Sequence, residues 1–175
     1  MKRYFSLMIF MILAFILLSG CEISKSIDPI KKEDDTGVNN ELDEGAKWEA
    51  SIHETVNNLN GVSMTVKEGT LSSKSLTLIL ENNSDKDCIF SSDFILEKKV
   101  NKRWYQVPVI LDSDYGFEDI AYELSSSSVR QWPVDWNWLY GNLDAGEYRI
   151  IKSILNSKDT GDFDNYYLAA EFIIN

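Results

Sequence analysis

The stretch Val-Ser-Met-Thr-Val at residues 62–66 alternates apolar and polar side chains, and Leu-Thr-Leu-Ile-Leu at residues 76–80 repeats this pattern. A period of two places alternate side chains on opposite faces of a β-strand. Similar short runs follow, separated by turn residues, at 94–100, 103–109, 120–124, 129–135, 147–155 and 166–174. No crossover helix separates them, which disfavours a parallel sheet. Residues 61–175 are therefore predicted to form an all-β domain, an antiparallel β-sandwich of seven or eight strands.

The runs at 94–100 and 103–109 flank Asn101-Lys102. A two-residue connection between alternating runs is typical of a β-hairpin. Pro108 lies near the end of the second run, and proline cannot donate a hydrogen bond to a neighbouring strand. The second strand is therefore expected at the edge of its sheet.

The segment Leu143–Lys152 contains a glycine turn followed by Tyr148 at the entry to a late strand. It resembles the tyrosine corner of immunoglobulin-like sandwiches, in which the hydroxyl binds the preceding loop; an ordinary buried tyrosine is the alternative. The sequence also resembles a bacterial Ig-like domain family found in small lipoproteins of Gram-positive bacteria, in runs at 62–71, 76–84, 95–98, 104–108 and 140–152. The resemblance covers residues 61–175. It implies an immunoglobulin-like fold and an extracytoplasmic location, with no catalytic residues and no agreed ligand. The sequence departs from the family pattern at the hairpin turn, where Asn101-Lys102 stands in place of the expected Asn-Gly.

The first twenty residues have the features of a signal peptide. Two basic residues precede the apolar run Tyr4–Leu18, which is short for a membrane span. The sequence Leu18-Ser19-Gly20-Cys21 that ends this segment resembles the bacterial lipobox. We therefore expect cleavage between Gly20 and Cys21, followed by lipidation of Cys21, which would anchor the chain at the extracytoplasmic face of the cell membrane. An uncleaved N-terminal membrane helix is the alternative.

Residues 21–47 combine few large apolar side chains with many charges, which predicts an acidic flexible tether. Residues 48–60 follow as a lead-in to the sandwich. Trp48, Ile52, Val56 and Leu59 recur there at helical spacing, so we expect either a short helix or an irregular segment. His53 is the only histidine of the chain, and we expect it at the surface or in a cap.

The chain carries a formal net charge of −11. Removing the first twenty residues leaves 15 basic and 28 acidic side chains, a net charge of −13. Such a domain repels phosphate, which excludes nucleic acid as a favoured partner and argues against a basic lipid-binding patch. Cys88 is the only cysteine besides Cys21, and we expect it to be a small buried hydrophobic residue.

The motifs of catalysis are absent from the sequence. A nucleophile needs a neighbouring base, and the single histidine lies outside the predicted sandwich. No phosphate loop, zinc spacing or dinucleotide fingerprint occurs. We therefore expect no enzyme, no cofactor and no metal.

Two segments are candidate surface sites. In Trp132–Tyr140, the aromatic residues fall on even positions and would share one face if the segment were extended. Burial in the core is the favoured explanation for such large rings, and an exposed binding surface formed by Trp136, Trp138 and Tyr140 is the other possibility. We expect Trp132 in the core and Trp136 or Trp138 to be more exposed. The Asp159–Asp164 loop offers oxygen ligands for calcium, as do Asp112, Asp114, Glu118 and Asp119 more weakly, but no glutamate closes the loop and a solvated turn is the favoured explanation.

These features favour a membrane-anchored, non-enzymatic binding or accessory domain that contacts a surface protein or a cell-wall polymer. The alternative is a protease-inhibitor or sensor-regulator lipoprotein, and a third reading is a spacer. A protruding aromatic on an exposed loop would favour inhibition, whereas an aromatic platform would favour glycan binding. A uniformly acidic surface would favour a spacer.

Overall fold

The computed structural model describes residues 47–159 and 161–175. Their secondary structure consists of nine strands and one short helix. The elements are β1 (Val62–Val66), β2 (Ser75–Asn82), β3 (Cys88–Phe90), β4 (Ile95–Val100), β5 (Arg103–Gln106), β6 (Tyr122–Leu124), β7 (Ser128–Asp135), α1 (Asn137–Tyr140), β8 (Gly146–Asp159) and β9 (Asp162–Ile174).

The strands form two antiparallel sheets. One has the order β1-β2-β7, and the other has the order β5-β4-β8-β3-β6 with β9 paired to β8. Strand β8 is long enough to pair with β4 through its first half and with β3 through its second half. The predicted all-β, immunoglobulin-like sandwich is confirmed. The count reaches nine strands because β3 has only three residues, too few to show an alternating pattern.

The core lies between the sheets and follows the alternation seen in the sequence. Leu78 and Leu80 of β2 are fully buried, as are Leu96 of β4 and Ile150 of β8. Each such side chain contributes about 1.5–3 kcal/mol by leaving water. Cys88 is buried and unpaired, as expected, and burial raises the pKa of its thiol.

The β4–β5 hairpin is confirmed, and its turn is defined by two residues with positive φ. Asn101 has a φ of 52° and Lys102 a φ of 67°, which is the left-handed geometry of a type I′ turn. Lysine thus adopts a conformation for which glycine is favoured. Strand β5 ends at Gln106, earlier than predicted, although the amide of Val107 still donates to the carbonyl of Leu96 on β4.

The predicted tyrosine corner is confirmed. The Tyr148 hydroxyl donates a hydrogen bond to the backbone carbonyl of Asp144, over 3.0 Å. The ring is buried and stacks on Phe172, with centroids 5.8 Å apart. The bond fixes the loop before β8 to the strand itself.

The lead-in of residues 48–60 is irregular and contains no helix. Its backbone pairs with the edges of two strands instead of with itself. Near its start, the amide of Ser51 donates to the carbonyl of Trp104 on β5. Near its end, Asn57 bonds to the backbone of Tyr167 and Ala169 on β9. The apolar side chains at helical spacing do not form one buried stripe, since Ile52 is 77 % exposed.

His53 is buried, so the expectation of a surface or capping residue is wrong. Its ring packs on Tyr167 with centroids 4.4 Å apart, and desolvation lowers its pKa. Beneath it, the fully buried carboxylate of Glu97 accepts a hydrogen bond from Nε of Arg149 over 2.7 Å. Arg149 also donates to the His53 carbonyl and to the Ser51 hydroxyl. The buried guanidinium thereby ties the lead-in to the sheet.

The predicted signal peptide of residues 1–20, the predicted cleavage residues Gly20 and Cys21, and the predicted tether before Lys47 lie outside the described residues. Among the residues that are described, no helix has the length and apolar character needed to cross a membrane.

Candidate functional site

The segment Trp132–Tyr140 is extended only in its first part. Strand β7 ends at Asp135, whose carboxylate accepts a hydrogen bond from the amide of Asn137, and the chain then turns into helix α1. The expected row of aromatic side chains on one face is therefore not formed. The rings of this segment point to different parts of the molecule.

Trp136 and Tyr140 belong to the core, so their assignment to an exposed binding surface is wrong. Trp136 is fully buried, its ring stacks on Phe172 at 5.5 Å, and its indole N–H donates to the carbonyl of Ser73 over 3.0 Å. Tyr140 is 9 % exposed, and burial raises the pKa of its hydroxyl to about 12. The turn into α1 causes both outcomes, because it directs these rings between the sheets. Trp132 is half-buried against Phe90 and Tyr122.

Trp138 is the member of the predicted surface that remains exposed, with 43 % of its surface accessible. It contacts Phe117 and Tyr115 from the loop between β5 and β6, at centroid distances of 5.6 and 6.3 Å. Tyr115 is 45 % exposed, and Phe117 is half-buried. We call Tyr115, Phe117 and Trp138 the aromatic cluster. Its rings meet edge to face, at 72° to 85°.

The cluster rests on the core. The ring of Phe117 lies 5.4 Å from that of the buried Phe94, and Phe94 lies 6.0 Å from the ring of Tyr140. The loop is also held by its backbone, since the amide of Ile110 donates to the carbonyl of Leu139 in α1. An exposed aromatic group on a supported base is the arrangement found at the energetic centre of many protein interfaces.

A groove of about 710 Å³ lies beside the cluster. Its aromatic lining includes Tyr115, Phe117, Tyr140 and Trp48, and its polar lining includes Glu49, Asp93 and Gln106. A smaller cavity of about 180 Å³ lies against Trp138 and Asp135. The larger volume falls within the usual range of ligand sites, and its lining mixes apolar walls with a few polar groups.

The Asp93 edge of the groove is positioned by a buried lysine. Lys152 is 1 % exposed, and its Nζ donates to the carbonyls of Ser91 and Asp93 over 2.8 and 2.6 Å. Burial lowers the Lys152 pKa to about 8. The Ser91 hydroxyl in turn donates to the Asp93 carboxylate. The lysine therefore fixes the backbone that carries this carboxylate.

The site is strongly acidic. The chain contains no lysine or arginine between Arg103 and Arg130, whereas the loop of residues 107–121 carries four exposed acids, Asp112, Asp114, Glu118 and Asp119. Glu49, Asp93 and Asp135 add carboxylates at the two cavities, and Lys47 is the only basic residue in their lining. The negative potential therefore coincides with the exposed aromatic rings.

The exposed aromatic rings, the carboxylates and the adjoining groove form an arrangement suited to binding. His53 is buried under Tyr167 and lines neither cavity of the site. Over residues 47–159 and 161–175, no group of three or more His, Cys, Asp or Glu is placed to hold a metal ion. In the Asp159–Asp164 segment, the carboxylate of Asp164 forms an ion pair with Lys158 over 2.6 Å, and Thr160 lies outside the described residues.

Sequence reasoning identified Trp138 and missed Tyr115 and Phe117. A signal for them existed, because residues 110–119, between two predicted strands, carry two aromatic residues among four acids. Nothing in the sequence indicated that this loop returns to α1.

Residues 58–173 match the family model described as a bacterial Ig-like domain, which is more than half of the 175-residue chain. No curated protein and no solved structure matches the chain.

Proposed function

Because the chain belongs to the bacterial Ig-like domain family, we propose that it is a non-enzymatic accessory domain, anchored through lipidated Cys21, that binds a protein through the aromatic cluster. A β-sandwich of this family is typically non-catalytic and suited to binding. The anchor part of the proposal is supported by the short apolar run before Cys21 and by the lipobox-like sequence that ends there.

The exposure of the aromatic cluster is the observation that carries the binding role. Large aromatic rings usually gain about 1.5–3 kcal/mol by burial, yet Tyr115 and Trp138 remain more than two fifths exposed. Covering them with a partner recovers the part of that free energy that corresponds to their remaining exposed surface. The neighbouring groove provides a concave surface for the rest of the contact.

The ring geometry favours a protein over a cell-wall polymer. Stacking on sugar rings needs open aromatic faces, whereas in the cluster the edge of one ring meets the face of the next, at 72° between Tyr115 and Trp138. A compact group of this kind fits a pocket between protein side chains. The protruding Tyr115 on a long loop also supports the inhibitor or regulator role as a special case of protein binding.

The position of the groove also suits a tethered domain. Trp48 and Glu49, at the start of the described residues, line the groove. The 26 residues from Glu22 to Lys47 would span at most roughly 90 Å if fully extended. We therefore expect a partner that is itself in or near the membrane.

Site-specific photo-crosslinking in cells tests the binding role. Benzoylphenylalanine at position 115 should give a discrete crosslinked species, and Trp138→Ala in the same chain should remove it. The matched control is benzoylphenylalanine at Phe163, which is 42 % exposed and lines neither cavity of the site. Equal crosslinking from both positions, or none from position 115, would contradict the proposal.

The anchor has its own test. Metabolic labelling with a fatty acid should mark the wild-type chain and fail to mark Cys21→Ala, which should also leave the membrane fraction. Equal labelling of both proteins would show that Cys21 is not the lipidated residue.

A further inference from the structure

We infer that the partner of the aromatic cluster is a basic protein, which places a lysine- or arginine-bearing segment in the groove beside the cluster. The inference rests on the proposed binding function and adds the chemistry of the partner. It follows from the charge of the site, from the lining of the groove and from the cost of leaving both uncovered.

Four acids lie beside the two aromatic residues of the loop. Asp114 and Glu118 flank the two aromatic residues of the loop, and Asp112 and Asp119 lie slightly further along it. Within the part of the chain that the structure describes, the three ion pairs use Glu97, Glu147 and Asp164 as acids and none from this loop. The four carboxylates within residues 112–119 repel one another, and a cationic partner relieves that repulsion.

The groove itself has the lining that a cationic side chain needs. A guanidinium or ammonium group is attracted by aromatic faces and by carboxylates, and Tyr115 lines the groove together with Glu49 and Asp93. The Gln106 side chain also lines the groove and offers an uncharged acceptor. An anionic polymer would meet these carboxylates directly, which excludes it as the preferred occupant.

The chain carries one basic segment of its own that a second copy could offer. Lys98, Lys99, Lys102 and Arg103 surround the turn of the β4–β5 hairpin. The Nζ of Lys99 already pairs with Glu147 over 2.8 Å, and Lys98 is buried. Two of the four basic groups are thus already engaged, which makes this hairpin a poor occupant and favours a different protein.

Neutralising the loop acids tests the inference with a matched control. The site variant is D112N/D114N/E118Q/D119N in the full chain. The control variant is E54Q/D85N/D162N/E171Q, which changes the net charge equally at exposed acids that line neither cavity of the site. The first readout is the crosslink from position 115 in cells. The second is the affinity of the detergent-solubilised full chain for a short synthetic peptide in which lysine and arginine alternate with leucine and phenylalanine.

We expect the site variant to lose the crosslink and to bind the basic peptide at least about tenfold more weakly, with a reduced dependence on salt. The control variant should keep the crosslink and stay within about twofold of the wild-type affinity. A peptide with glutamate in place of each basic residue should not bind.

Other outcomes would overturn the inference. Equal losses of crosslinking and peptide affinity in both variants would mean that only the net charge of the chain matters. Binding of the acidic peptide as tightly as the basic one would show that the site has no preference for a cationic partner. Self-association of the full chain in sedimentation, abolished by the site variant, would make a second copy the occupant. A crosslink that survives in the site variant would refute the basic partner and leave the proposed function standing, whereas absence of the crosslink in the wild-type chain would refute the proposed function.

Discussion

Trp136 and Trp138 form a natural pair for separating folding from binding, because they are the same residue type two positions apart. Trp136→Ala removes a fully buried ring, its stacking on Phe172 and its hydrogen bond to Ser73. Truncation of such a ring costs about 3–5 kcal/mol in the free energy of unfolding. Trp138→Ala removes a ring that is 43 % exposed and makes edge contacts, and we expect a cost of about 1–2 kcal/mol.

Urea unfolding followed by circular dichroism measures this difference. With a slope of about 1–3 kcal/mol per molar urea, the two midpoints should differ by about 1–2 M, with Trp136→Ala the less stable. Trp136→Phe is the control that keeps one aromatic ring while losing the hydrogen bond and the rest of the indole, so its loss of stability should be intermediate. Equal midpoints for the two alanine variants, or a lower midpoint for Trp138→Ala, would refute the assignment of Trp136 to the core and Trp138 to the surface.

Four further predictions concern stability. Tyr148→Phe should lower the free energy of unfolding by about 0.5–1.5 kcal/mol in urea titrations, through loss of the corner hydrogen bond; an unchanged midpoint would make the tyrosine ordinary core. Arg149→Leu should cost about 3–5 kcal/mol, because it leaves the buried carboxylate of Glu97 unpaired, and the double variant with Glu97→Met should recover part of that loss. Lys152 has a pKa of about 8 in the folded chain and 10.5 as its ordinary value, so between these values the unfolded chain binds more protons and stability should rise with pH, by up to about 3 kcal/mol. The rise is best followed from pH 8 to 10 by urea midpoints, and a Lys152→Met chain with the same pH profile would contradict it. Finally, EDTA should leave the melting temperature unchanged; a drop that calcium restores would instead assign a metal to the Asp159–Asp164 segment.

The lead-in is held to the sandwich at both of its ends. Its backbone bonds to β5 near one end and to β9 near the other, and the Arg149 guanidinium holds it between them. A force on the tether would therefore act first on hydrogen bonds at the edge of β5. The Arg149→Leu variant weakens this attachment as well as the sheet, which is a second reason to expect a large effect.

The sequence alone determined the sandwich and most of its strands. Local patterns, which are decided by residues close in the chain, were sufficient for this. They are the alternation at residues 62–66 and 76–80, the two-residue turn at Asn101-Lys102 and the tyrosine at the entry to β8. The short strand β3 carried no such signal. Its three residues become a strand because β6 and β8 pair with it on both sides.

The position of each aromatic ring was decided only by the tertiary structure. Trp136 and Trp138 lie two residues apart, and the turn into α1 sends one under Phe172 and the other to the surface. Tyr115 joins Trp138 because a loop that is distant in sequence returns to α1. His53 is also buried by a segment that is distant in the sequence, because the lead-in packs its ring on Tyr167 of β9. Exposure depends on which distant segment packs over a side chain, and periodicity within one segment carries no information about that neighbour.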